Sequence, residues 1–202
     1  MLNFIKNIFS PKTQQNKIHV VQISEEEKKE NKRLLELYTR KILEKNHFFD
    51  NSKTEIIIKH VLGEINLLKS ENNLSLEEKK SLGINSKVKI SRELIDIFDS
   101  SKLNINSFKE KNPKDLLLNL SQNAKTRMFI ISNLRRIKSL DFIKYVYLTS
   151  PNDERTCNWC KEQSSKKIDI NTDIIKLIDE NCNCEYNRST LISDINIDEI
   201  LN

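Results

Sequence analysis

The sequence predicts a mainly α-helical fold, a helical N-terminal body followed by a small α+β module at the C-terminus. Three observations carry this expectation. The 202 residues include only two glycines and three prolines, too few for the many tight turns of an all-β chain. Leucine and isoleucine recur at three- and four-residue spacing over long stretches, the signature of helices buried on one face. Near residue 140 the pattern changes to a short β-branched and aromatic run, which leads directly into the only cysteines of the chain. The apolar 37% is mostly aliphatic, with a single tryptophan.

Residues 1–23 read as an amphipathic segment and connector. Met1-Leu-Asn-Phe-Ile-Lys-Asn-Ile-Phe9 spaces apolar residues as a helix would, without the unbroken apolar run of a signal peptide. It is expected to pack on its own domain or fray; a membrane surface or a partner protein is the other reading. Residues 10–23 are polar apart from Ile18-His-Val-Val21. No 18-residue apolar segment occurs, so no membrane span is expected.

Residues 24–140 form the helical domain. Ser24 is a good N-cap, and Glu25, Glu26 and Glu27 lie where the helix dipole favours negative charge. The helix it opens should bury Leu34, Leu35, Leu37, Tyr38, Ile42 and Leu43 and end near Asn46. A second, opened by Ser52 or Thr54, should run through Ile56, Ile57, Val61, Ile65 and Leu68. Ser75-Leu-Glu-Glu78 has the form of a capping box before a shorter helix closed by Gly83. Ser91 caps another, with Leu94, Ile95, Ile97 and Phe98 inward. The longest spans Lys114 to Ser139, with Leu116, Leu117, Leu120, Ala124, Met128, Ile131, Leu134 and Ile137 on one side.

The polar side of that helix carries Lys125, Arg127, Arg135, Arg136 and Lys138, which are candidate phosphate contacts. From Ser107 to Tyr145 nine Lys/Arg face three Asp/Glu, a local +6 within a formal net charge of +5. Such a stretch suits DNA or an acidic protein surface, although a solvated helix face is the plainer explanation.

Residues 141–202 form the cysteine module. Tyr145-Val-Tyr-Leu-Thr149 reads as a strand. Cys157 and Cys160 then make a C-x2-C pair, Cys182 and Cys184 a C-x-C pair, with 21 residues between. Four thiolates satisfy tetrahedral Zn2+ completely and leave no open position, the mark of a structural site. The intervening segment has only a handful of isoleucines and one leucine as large apolar residues, so a metal staple would offset its ordering entropy. Paired disulfides are a rival that requires an oxidising compartment. A dithiol redox centre is another, without the βαβ setting that Cys157-Asn-Trp-Cys160 would need. Trp159 is expected to pack over its own metal loop rather than stack on a base.

The stretch from Arg127 to Cys184 resembles the C-terminal part of the phage Mu F-like head morphogenesis family, the minor head proteins of tailed phages. The resemblance rests on Asp153-Glu-Arg-Thr-Cys157-Asn-Trp-Cys160 after a strand, on Ser165-Lys-Lys-Ile168, and on Asp179-Glu-Asn-Cys182-Asn-Cys184. It departs from the family pattern at Ser165, where glycine is usual, at Asp179, where histidine is usual, and at Asn183, where arginine is usual. It covers about 60 of the 202 residues, and residues 1–125 carry no family motif. The resemblance implies a minor head (capsid) protein at or near the portal, contacting portal or capsid proteins and DNA. Its place would be the cytoplasm during assembly and the virion afterwards.

A zinc-containing nucleic-acid-binding regulator is the alternative. An enzyme is not expected, because no cluster of carboxylates or histidines offers an open metal site. Asp96 and Asp99, and Asp169 and Asp173, are explained as helix-surface charges, and His47 and His60 lack partners at a catalytic spacing.

Overall fold

The computed structural model describes residues 23–69 and 71–194; the segment and connector expected over 1–23 thus lie, save Ile23, outside the described residues. The architecture is mainly helical with a small antiparallel sheet near the C-terminus, as the sequence predicts. Helix α1 (Glu25–Lys45) begins at Ser24, whose side chain accepts from the Glu27 N–H, and ends at Asn46. Helix α5 (Pro113–Lys138) begins at Asn112, whose side chain accepts from the Lys114 N–H, with Pro113 in the first turn. Proline belongs there because that turn has no use for its missing N–H. The two helices pack lengthwise, burying Leu34, Leu35, Tyr38 and Leu43 of α1 and Leu117, Leu120, Ala124, Met128 and Leu134 of α5 in one core. The first turn of α1 meets the last turn of α5, so they run antiparallel.

Between them lie three short helices, α2 (Thr54–Val61), α3 (Leu76–Ser81) and α4 (Arg92–Ile95). The second helix is shorter than its apolar spacing predicts. It stops at Val61, and the chain turns through Gly63 at φ +79°. The imidazole Nδ1 of His60 then accepts from the Leu67 N–H at 3.3 Å. Ile65 and Leu68, expected on the helix, lie instead in the return loop, partly buried against the core, with Leu67 between them in sequence fully part of it. Ile56, expected inward, is exposed, and Ile58 is buried instead.

The capping box of α3 forms in full: Ser75 Oγ accepts from the Glu78 N–H, and Glu78 accepts from the Ser75 N–H. Gly83 closes it at φ +72°, and a Cβ added there would lie 2.3 Å from the Ile105 carbonyl oxygen. Gly63 has a similar φ and nothing within 4 Å of such a Cβ. Gly83→Ala is therefore expected to cost more than about 1 kcal/mol, through both strain and clash, and Gly63→Ala only the strain. Equal urea midpoints for the two variants would contradict this.

The module adds strands β1 (Tyr145–Thr149), β2 (Ile168–Asp169) and β3 (Thr190–Ser193) and helices α6 (Asn158–Gln163) and α7 (Ile174–Asn181). The sheet order is β2-β1-β3, with both pairings antiparallel. Val146 and Leu148 point inward from β1 with no exposure, joined by Ile168 and Leu191 from its neighbours. The buried cluster runs unbroken from Leu34 to Leu191, so the core passes straight across residue 140. The segment between the cysteine pairs is better packed than its sparse apolar stock suggested: Ile168, Ile170, Ile174, Ile175 and Ile178 are all buried. Its isoleucines fall at helical spacing in α7, which turns a short apolar stock into one continuous inward face. Among the described residues no helix is long and apolar enough to cross a membrane.

Candidate metal centre

Helix ends place the cysteines. Cys157 occupies the N-cap position of α6, in extended conformation, and Cys160 follows within the first turn. The first two sulfurs therefore lie on one side of a tight corner. Cys182 is the C-cap of α7, its N–H bonded to the Ile178 carbonyl at 2.9 Å, and the chain leaves the helix there so that Cys184 turns back. Two pairs 21 residues apart thus meet: all four sulfurs lie within 4.8 Å of one another. Cys160 Sγ is 3.5 Å from Cys182 Sγ and 3.9 Å from Cys184 Sγ. A tetrahedral Zn–S bond of about 2.3 Å spaces its sulfurs roughly 3.8 Å apart, so the cluster has the dimensions of a four-thiolate site. The same separations are far from the roughly 2.05 Å of a disulfide, and all four cysteines are free.

The electrostatics agree with a cation's place. Burial pushes the Cys160 thiol far up, and the neighbouring Cys182 sulfur pushes it further. Burial likewise raises Cys184, to about 11. Burial also opposes ionisation of Cys157, but the backbone N–H groups of Cys160 and Asn183 outweigh it and hold that thiol down at about 7. Sulfurs this close cannot all be thiolates without positive charge between them, which a cation held among them would supply.

Around the sulfurs, further residues complete the site. The Cys157 N–H donates to Cys184 Sγ at 3.3 Å. Asn187, 1% exposed, directs its side-chain Nδ2 at Cys160 Sγ (3.4 Å) and Cys182 Sγ (3.3 Å). Its backbone is docked on α5: the Asn187 N–H donates to Asn123 Oδ1 at 3.0 Å, and its carbonyl accepts from Thr126 Oγ1 at 2.8 Å. An asparagine three residues past the last cysteine carries no motif signal, so only the fold reveals it. Asp153, in the approach to the first cysteine, accepts from the Arg155 N–H at 3.0 Å and the Thr156 hydroxyl at 3.1 Å. The Arg188 guanidinium also grips it and holds its carboxyl well below the usual range. Trp159 is half-buried and packs against the core.

Asp179, at the position where the family pattern usually has histidine, does not join the sulfur cluster. It accepts from the guanidinium of Arg127 at 2.6 Å, with Lys45 at 3.4 Å. Arg127 also donates to the Asn123 carbonyl at 3.0 Å. Arg135 pairs with Glu30 at 2.7 Å, and Arg136 with Glu27. Hydrogen bonds from Arg33 and then Arg135 hold the Glu30 carboxyl down at about 2. Three of the five candidate phosphate contacts thus already meet carboxylates of α1 and α7, while Lys125 is half-buried and Lys138 exposed. One helix read alone shows its cations; the acids opposite appear only when α1 folds against it.

His47 lines a groove that opens onto Cys182 and Cys184 but lies outside the ligand cluster, and His60 faces the return loop of α2. Three of the four paired acids serve local structure: Asp99 accepts from the Ser101 N–H, Asp169 from the Asn171 N–H and Asp173 from the Lys176 N–H. Compared with known proteins, the chain matches no family model, no curated protein sequence and no solved structure.

Proposed function

We propose that the protein is a phage or prophage minor head protein, acting in head morphogenesis near the portal, whose C-terminal module is fixed by one structural zinc ion. The convergence of Cys157, Cys160, Cys182 and Cys184 to within 4.8 Å carries the zinc reading. Four sulfurs at tetrahedral spacing select zinc over harder cations such as magnesium or calcium, which prefer oxygen. Bound there, the ion supplies a cross-link; with all four positions taken by sulfur, none remains for a reacting water. That supports a non-enzymatic role.

The phage reading rests on the Asp153-to-Cys160 element. Strand β1 delivers the chain to it, and Asp153 and Thr156 brace the turn before Cys157 through Arg188. The alternative, a zinc-containing nucleic-acid-binding regulator, needs the basic face, and the ion pairs of Arg127, Arg135 and Arg136 compete with phosphate for it. Contact with DNA in a head would be weak and strongly salt-dependent.

Metal analysis of the purified protein is expected to give about one zinc per chain, and the protein is expected to co-sediment with portal rings from the same phage. Zinc-free protein that melts identically with and without added zinc would remove the structural reading. Sequence-selective DNA binding at moderate salt, with no portal association, would favour the regulator.

A further inference from the structure

We propose that Asn187 is the positioning residue of the metal centre: its side-chain amide steadies two of the four thiolates while its backbone ties them to α5. The inference rests on the zinc reading above and concerns how this chain holds the ion.

Four thiolates around one Zn2+ leave a net charge of −2 in a site whose central sulfur belongs to Cys160, 1% exposed. Charge of that size needs N–H donors aimed at sulfur. N–H donors reach three of the four sulfurs directly. The sulfur of Cys184 receives the N–H of Cys157. Those of Cys160 and Cys182 receive the two amide hydrogens of Asn187, at 3.4 and 3.3 Å. These last two sulfurs lie only 3.5 Å apart, and one comes from each pair. Asn187 therefore spans the junction between the C-x2-C and the C-x-C.

Its remaining polar groups are also engaged. Oδ1 accepts from the Ser189 N–H at 2.9 Å, which fixes the amide's orientation, with nitrogen toward sulfur and oxygen toward the backbone. The peptide N–H and carbonyl bond to Asn123 and Thr126, four and one residues from Arg127 on α5 (Arg127 itself binds Asp179 of α7). A buried amide with every donor and acceptor used has one allowed pose. The helical body thus sets where the sulfurs of Cys160 and Cys182 stand.

Asn187→Asp keeps the shape and removes both donors; Thr126→Val removes one bond of the backbone dock and leaves the donors. Each full-length variant, with wild type, is loaded with Co2+ in place of zinc and titrated against a chelator. In wild type the thiolate-to-cobalt charge-transfer bands report four sulfurs. Asn187→Asp is expected to bind at least about tenfold more weakly, the usual effect of removing an outer-shell partner. Its charge-transfer bands should move to lower energy, because a thiolate without its N–H donor gives up an electron more easily. Thr126→Val is expected to lower the melting temperature with its bands unmoved. A second measurement needs no variant: in 113Cd-loaded wild type, the Asn187 side-chain amide protons should show scalar coupling to cadmium through sulfur. Unchanged bands and affinity in Asn187→Asp, or absent coupling, would overturn the role of Asn187 while leaving the zinc reading intact. Wild type that binds no Co2+ or Cd2+ would overturn the zinc reading itself.

Discussion

Cys160→Ser is expected to abolish stoichiometric zinc and to lower the melting temperature by roughly 10 °C or more. The expectation follows from position. Cys160 is the most buried of the four cysteines, and its sulfur lies 3.5 and 3.9 Å from those of Cys182 and Cys184. A serine oxygen is harder, less readily ionised and falls short of the sulfur's place, so three thiolates would be left crowded with no fourth ligand. Binding of a structural zinc is itself folding free energy, about 10–16 kcal/mol in small zinc peptides. Only part of that can be lost here, because the segment between the cysteine pairs has its own buried face, with Ile174 and Ile178 each 1% exposed. Loss of a metal nevertheless ranks among the single-site effects above about 4 kcal/mol, and a chain of this size shifts by about 2–4 °C per kcal/mol.

Chelation of wild type should reproduce the effect, and acid should do the same. The thiol of Cys160 is pushed far up by burial and that of Cys184 up to about 11, so without an ion both hold their protons at neutral pH. Metal binding must release those protons, and affinity therefore falls as pH falls. A Cys160→Ser protein with full zinc and an unshifted melting curve would refute the four-sulfur site.

The legibility of the sequence followed the range of the interactions involved. Local signals translated almost residue for residue: Ser24 caps α1, Ser75 and Glu78 close a capping box, the helix expected over Lys114 to Ser139 is α5 (Pro113–Lys138), and Tyr145–Thr149 is a strand. The helix caps depend on neighbours within four residues. The four cysteines were legible as one cluster too, since thiolate chemistry narrows the options more sharply than apolar periodicity does. What escaped was non-local. The spacing of Ile56, Ile57, Val61, Ile65 and Leu68 continues a helix that the fold ends at Val61, where Gly63 and the His60–Leu67 bond divert the chain into the core by another route. The acids facing Arg127, Arg135 and Arg136 come from 52 to 109 residues away, and no helical wheel displays them. Asn187 belongs to the same class, for its meaning lies in sulfurs and a helix that the sequence separates from it.

The stretch from Asn46 to Asn112 poses the opposite problem, few long elements and much loop, and it depends on an aromatic cluster. Phe98→Ala is accordingly expected to cost about 3–5 kcal/mol. Phe98 is 2% exposed, and its ring centre lies 5.4 Å from that of Phe48, 4.9 Å from that of Phe49 and 5.2 Å from that of Phe108. With Phe98 itself, those rings come from three separate stretches of chain, so one side chain joins the end of α1, the end of α4 and the approach to α5. Backbone bonds follow the same seam, with the Asp50 N–H on the Ile97 carbonyl at 2.9 Å and the Asp99 N–H on the Phe48 carbonyl at 3.0 Å. Truncation leaves a cavity that three partner rings can fill only by moving their own backbones, and these are pinned. Phe98→Leu keeps most of the volume and should cost about half as much or less. Because the buried cluster is continuous, the loss should lower one cooperative urea transition and leave the zinc content unchanged. Two separated transitions in Phe98→Ala would mean that the short-helix stretch unfolds apart from the α1–α5 pair, and that the shared core does not couple them.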